Sequence, residues 1–360
     1  MSKTGDFSQK FRERYFKRKR IDLECEVITP MFLGNAVGEA EWRAEPFKAL
    51  LRWWWRVMQP NASENAKEDF AGLLAKEGAI FGSAGEGDEA RSGKSTVVVS
   101  LSAKGRPTQE DFPSVQDIDH PEVKGGRVNP LLYLAGIGLM RGRQVNRQYF
   151  QPSSRFRLTL DFSETHSDSA NRVLSAIQLF GTAGARARNA WGSFRIVEGW
   201  LDEKEVVKNL NLATRDWLQG LRRDYPNCLG KDDRPLLWRS PTRSSWPDVM
   251  RDLADAYVGL RARKVGGHER LGPDNGQRHL LGIPLSGNHP SPSQTSRYAS
   301  PLRFAVRKHD DQYFGVALAL PQRFPNGMGK MSLDQEKETW EIVHKKLDIL
   351  LRRASYEECL

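Results

Sequence analysis

Residues 21–27 read Ile-Asp-Leu-Glu-Cys-Glu-Val, and their alternation is unbroken. Ile21, Leu23, Cys25 and Val27 take one face, and Asp22, Glu24 and Glu26 the other. This predicts a strand with one side on a core. The period returns at 155–162, with Phe156, Leu158, Leu160 and Phe162 facing inward. Between these segments Pro46 opens a helix to about Met58, and β-branched Thr96–Ser102 reads as a strand. Beyond them Asp168 or Ser169 can cap a helix whose stripe is Val173, Leu174, Ile177 and Phe180. Ser193–Trp200 reads as the last strand of the set.

The order across 21–200 is β-α-β-β-α-β, the split-βαβ arrangement. A weaker copy follows, with strands at 236–239, 302–308 and 313–320 and helices at 246–264 and 334–353. Its last strand is sought at Leu281–Leu285. The predicted class is α+β, with two tandem ferredoxin-like (RRM-like, βαββαβ) domains carrying insertions, at 21–200 and 201–360. A basic arm, 1–20, precedes them. Residues 103–130 read as a polar insertion and His289–Ser296 as a Pro/Ser-rich loop.

The chain has 360 residues, and 55 Lys and Arg exceed 45 Asp and Glu to leave a net charge of +10. A hydrophobic fraction of 39% is enough for cores and argues against wholesale disorder. The longest apolar run, Leu131–Met140, is ten residues with two glycines. A bilayer span needs about 20, so no membrane contact is expected. The N-terminal stretch lacks the apolar segment of a secretory leader. Cys25, Cys228 and Cys359 are too dispersed for a disulfide framework or a CxxC pair. A cytoplasmic protein with a polyanionic partner is expected. Residues 1–20 hold eight Lys and Arg against two acids, and residues 141–157 hold five arginines and no acid.

Two segments carry candidate binding chemistry. On the helix 46–58, Phe47, Leu50, Leu51, Trp54, Val57 and Met58 share one arc. Lys48, Arg52 and Arg56 recur on another side, with Trp55 beside them and Trp53 at the far edge. Cations flanked by an indole suit a phosphate backbone and a stacked base. The plain alternative is an amphipathic helix with its tryptophans in the core. The second segment is Phe180-Gly-Thr-Ala-Gly-Ala-Arg-Ala-Arg-Asn-Ala-Trp-Gly-Ser-Phe194. Gly181, Gly184 and Gly192 permit close backbone approach, Arg186 and Arg188 offer phosphate contacts, and Trp191 offers a stacking surface. The alternative is a flexible surface turn. Arg43, Arg141, Arg143 and Arg147 would extend the surface.

Thr29-Pro-Met-Phe-Leu-Gly34, Glu41-Trp-Arg-Ala-Glu-Pro-Phe-Lys-Ala-Leu-Leu-Arg-Trp-Trp-Trp-Arg56, the loop 180–193 and Ala299-Ser-Pro-Leu-Arg303 together resemble the RAMP superfamily of CRISPR proteins. Within it they are most similar to the first RAMP subunit of the Cmr, or type III-B, effector complex. The resemblance implies a non-catalytic RNA-binding subunit. It would contact the 3′ part of the guide RNA and the facing target RNA, beside other RAMP subunits and the large subunit. Target cleavage in such complexes belongs to a backbone subunit with an acidic residue in an early loop. Here Gly34–Arg43 offers Glu39 and Glu41 but no Asp.

Other chemistry fits less well. Gly93-Lys-Ser-Thr96 lacks the earlier glycine of a phosphate loop, because Asp88 stands there. The seven histidines are scattered, and His268, His279 and His289 are the nearest to a grouping. No catalytic residue, metal or cofactor is expected. Two rivals stay open. One is a RAMP-fold endoribonuclease processing guide RNA, although the first histidine, His120, lies in an insertion. The other is a scaffold whose basic face docks acidic subunits.

Overall fold

The computed structural model describes residues 17–35, 39–59, 66–83, 93–136, 138–272, 276–282, 298–325 and 331–360. Most of the basic arm and the 289–296 loop lie outside the described residues. The protein is α+β. In its first half the elements are β1 (Arg18–Val27), α1 (Glu45–Val57), α2 (Ala66–Phe81), β2 (Val98–Ala103), β3 (Arg155–Ser163), α3 (Ser167–Phe180) and β4 (Phe194–Glu198). The four strands form one antiparallel sheet in the order β2-β3-β1-β4.

The alternation at 21–27 does what its pattern dictates. Leu23, Cys25 and Val27 are buried beside Phe156, Leu158, Leu160 and Phe162 under α1 and α3. The other face is an ionic lattice. Arg20 pairs with Asp22 at 3.1 Å and Arg157 pairs with Glu24. Arg195 reaches Glu26 at 3.1 Å, with Arg155 and Lys308 each at 3.8 Å. Arg18–Arg20 therefore belong to β1 rather than to a free arm, and Arg18 pairs with Asp161.

The second half repeats the connectivity with β5 (Leu237–Arg239), α4 (Trp246–Ala262), β6 (Leu302–His309), β7 (Gln312–Ala319), α5 (Leu333–Leu350) and β8 (Arg352–Arg353). Its sheet order is β6-β7-β5-β8, the same pattern as the first. The last strand is thus at 352–353, not at 281–285. Leu281 ends a 3-10 turn, and 283–285 lie outside the described residues. Helix α5 stops at Leu350, short of the expected 353, because the chain turns extended at Leu351 to pair Arg352 and Arg353 with β5. It starts with a capping box between Ser332 and Gln335. Helix α3 begins two or three residues earlier than read, after His166 and without a side-chain cap.

The two halves share their cores. Leu237, Ala305, Val316 and Leu318 join the apolar cluster of the first sheet. Trp238, Phe304, Val306 and Ala317 join a second cluster with α4 and α5. The second sheet is therefore buried on both faces. Across the junction Arg307 donates to Phe194 O at 2.9 Å and Gln178 O at 2.5 Å. Val306 N donates to Ser193 Oγ at 2.9 Å. All three cysteines are free and buried. No helix among the described residues is long and apolar enough to cross a membrane.

Candidate nucleic-acid interface

The glycine-arginine segment 181–193 is a tightly determined loop. It runs along the outer edge of β6, with Phe304 N donating to Arg188 O at 2.8 Å. Its other side is tied to the Thr29–Leu33 segment. Thr29 Oγ1 donates to Ala190 O at 2.7 Å and accepts from Ser193 N at 2.9 Å. Gly192 N donates to Pro30 O at 3.0 Å, and Ala185 N to Phe32 O at 2.9 Å. The glycines serve this packing. Gly184 and Gly192 have φ of +95° and +64°, and a Cβ there would lie 2.5 Å from Phe32 O and 1.9 Å from Ala183 O. Gly181 meets Ile177 O in the same way, at 2.5 Å.

This loop walls a cleft of about 680 Å³ between the halves. Arg43, Arg147, Arg186, Arg188, Arg261 and Arg303 line it with Trp53, Tyr257 and Tyr298, and no carboxylate is among its described lining residues. Arg186 sits exposed at φ +58°. Arg188 Nη1 donates to Ser300 O at 2.6 Å. Arg43 Nε is buried without a hydrogen-bond partner. Arg261 donates to the Tyr257 hydroxyl at 2.9 Å. Arg303 lies over the Trp53 ring, 4.2 Å from its centroid. A smaller pocket of about 260 Å³ adjoins through Arg186, Asn189, Tyr257 and Arg261, and is closed by His120, Glu122, Tyr133 and Arg278. There Glu122 is held by Arg278 at 2.6 Å and Arg270 at 3.3 Å.

Of the residues expected at the site, Arg43, Arg147, Gly184, Arg186 and Arg188 meet in the cleft, while the others are placed elsewhere. Arg52 and Arg56 both pair with Glu77 of α2, whose side chain is 0% exposed. Burial disfavours the Glu77 charge, but hydrogen bonds from Arg56 and Arg52 outweigh it and hold its carboxyl below the usual range. Trp55 is 4% exposed and packs edge-on against Phe81. Trp191 is wholly buried among Phe32, Phe112 and Trp246. Neither indole is a stacking surface, because both close cores. Lys48 is partly exposed but does not line the cleft. Arg141 and Arg143 sit on a two-stranded hairpin outside it, and Arg143 reaches Asp117 at 3.4 Å.

Sequence reasoning missed Arg261 and Arg303 as cleft residues, and gave Trp53 no role. Arg303 ends the stretch 299–303 already noted for its resemblance. Arg261 lies in a helical pattern with no mark to distinguish it. Among the described residues no three His, Cys, Asp or Glu side chains gather as a metal site.

Fold and site together describe an α+β protein with an arginine-lined cleft between two halves of matching strand order. No protein-family model matches the sequence, and no curated protein matches it. Among solved structures the chain is similar to Cmr1 from Pyrococcus furiosus in its apo form, with 18% identity over 91% of this chain and 97% of that one, and a TM-score of 0.46. It is also similar to a chain of the type III-B Cmr-beta complex bound to cognate target RNA and AMPPnP. That match has 10% identity over 91% and 98% of the chains and a TM-score of 0.46. A chain of a type IV-B CRISPR complex matches 49% of this chain and 89% of its own length at 14% identity, with a TM-score of 0.31.

Proposed function

We propose that the chain is an RNA-binding subunit of a type III-B CRISPR effector, built from two tandem ferredoxin-like halves. In this reading it holds the 3′ part of a guide RNA and the facing target RNA in cytoplasmic antiviral defence. It does not cut them, and it sits beside other RAMP subunits and the large subunit of a Cmr complex. The observation that carries the reading is the cleft with six arginines and no described carboxylate, walled by the same loop that bears the family resemblance. Arg43, Arg147, Arg186 and Arg188 would hold phosphates, so recognition would be largely independent of sequence. The shared strand order of the two sheets supports the tandem ferredoxin-like arrangement.

One observation favours the ribonuclease rival. His120 and Tyr133 lie in the pocket adjoining the cleft, beside Arg186 and Arg261, which are residue types fit for proton transfer next to a phosphate. Titration of labelled single-stranded RNA with a cleavage gel separates the two readings. Binding without sequence preference, no cut with or without divalent cations, and roughly tenfold weaker binding or more for Arg186→Ala with Arg188→Ala are the expected results. Parental affinity in that double variant would overturn the cleft as the RNA surface. Cleavage abolished by His120→Ala would establish the ribonuclease.

A further inference from the structure

Two arginines of β6, four residues apart, are both buried but are treated differently. Arg307 is satisfied, with its Nη atoms on the carbonyls of Phe194 and Gln178. Arg303 is 7% exposed and lines the cleft. Its Nη2 donates to Thr182 Oγ1 at 3.1 Å, and its Nε is buried with no hydrogen-bond partner. No carboxylate of the described residues pairs with it. Its guanidinium lies against two indoles, 4.2 Å from the Trp53 centroid and 5.5 Å from that of Trp54. Burial, and then the like charge of Arg188, pull its pKa down to about 9.

A guanidinium this buried, with its Nε unpaired and no carboxylate beside it, is costly unless an anion balances its charge. The Trp53 ring fixes the guanidinium plane, and Thr182 fixes its rotation. What remains is the Nη end of the guanidinium, where Nη1 bonds no described residue and is not enclosed, beside a cleft with no described carboxylate; such an end suits phosphate oxygens. We infer that Arg303, held by Trp53 and Thr182, forms a dedicated seat for one phosphodiester group at the floor of the cleft. The outer arginines meet the rest of the backbone without positional preference. This inference rests on the RNA-binding reading, and it adds that one phosphate counts more than its neighbours.

The test uses the full chain and a series of single-stranded RNAs, each with one neutral methylphosphonate linkage moved along the strand. The parent protein should show one position at which binding falls by about tenfold more than at its neighbours, the scale of a charge-assisted contact. Arg303→Gln should flatten the profile. If Arg303→Gln fails to fold, Thr182→Val should blunt the same position. Equal losses at every position in the parent would overturn the seat and leave RNA binding standing. If the parent binds no RNA, inorganic phosphate decides between the two ideas. A rise in melting temperature that Arg303→Gln or Thr182→Val abolishes would keep the seat as a free-phosphate site and remove the RNA reading. No such rise would remove both.

Discussion

Trp53, Trp54 and Trp55 are consecutive and occupy three different environments. Trp54 stacks on Phe180 at 5.4 Å in the middle of the core, Trp55 closes the core against Phe81, and Trp53 faces the cleft under Arg303. Trp54→Ala and Trp55→Ala are therefore each expected to cost about 3–5 kcal/mol of stability in urea titrations. Trp53→Ala should spare most of the fold and weaken RNA binding by about 1–2 kcal/mol. The helical period placed Trp54 correctly. It could not decide between its two neighbours, because which edge is covered depends on α2. That helix has a poor one-sided pattern and was not read from sequence. It also supplies Glu77, which takes up the charge of Arg52 and Arg56. Glu77→Gln should destabilise the protein by about 3 kcal/mol at neutral pH, somewhat less because both arginines are about a third exposed. The Glu77 pKa is depressed in the folded state, so its contribution is present above its unfolded pKa and fades as pH falls through the folded one. Parent and variant should therefore converge in stability on acidification. A gap that persists at low pH would contradict this.

At the scale of elements, the loop 181–193 is set by backbone rather than by its arginines. Gly192→Ala places a side chain at positive φ against Ala183 O, and Gly184→Ala does the same against Phe32 O. Each should lower stability by at least about 2 kcal/mol, measured by thermal melts. Either variant melting like the parent would show the loop to be loose. The sequence marked 181–193 as a glycine-arginine loop between a helix and a strand, but not which residues pack and which line the cleft, because that depends on partners at 29–33 and 304. The first sheet was readable because one face meets solvent and its strands alternate. The strands of the second are buried on both faces, so their residues do not divide into a core side and a solvent side. Its closing strand is two residues long, pinned by Arg353 on Asp232 at 2.7 Å and Asp348 at 3.3 Å, and no periodicity can announce so short a strand.

For the whole molecule, the shared cores and the Arg307 bridge predict one unfolding transition. Circular dichroism and tryptophan fluorescence should report the same midpoint, and two separated transitions would show independently stable halves. The cleft arginines predict a steep salt dependence. With about 0.7 lost per phosphate contact on single strands, four to six contacts give a slope of log K against log salt near −3 to −4. An RNA affinity indifferent to salt would mean that the cleft arginines do not meet phosphates.

The buried thiols have a practical consequence. Burial pushes Cys228 up to about 11 and Cys359 up to about 12, and raises Cys25 further. Since the thiolate is the reacting form, the folded chain should be silent to maleimide at neutral pH and take up three adducts only when unfolded, as read by intact mass. A single Ala185→Cys on the exposed rim of the cleft would then be the one reactive handle. A dye placed there could follow the strand entering and leaving with no native cysteine removed.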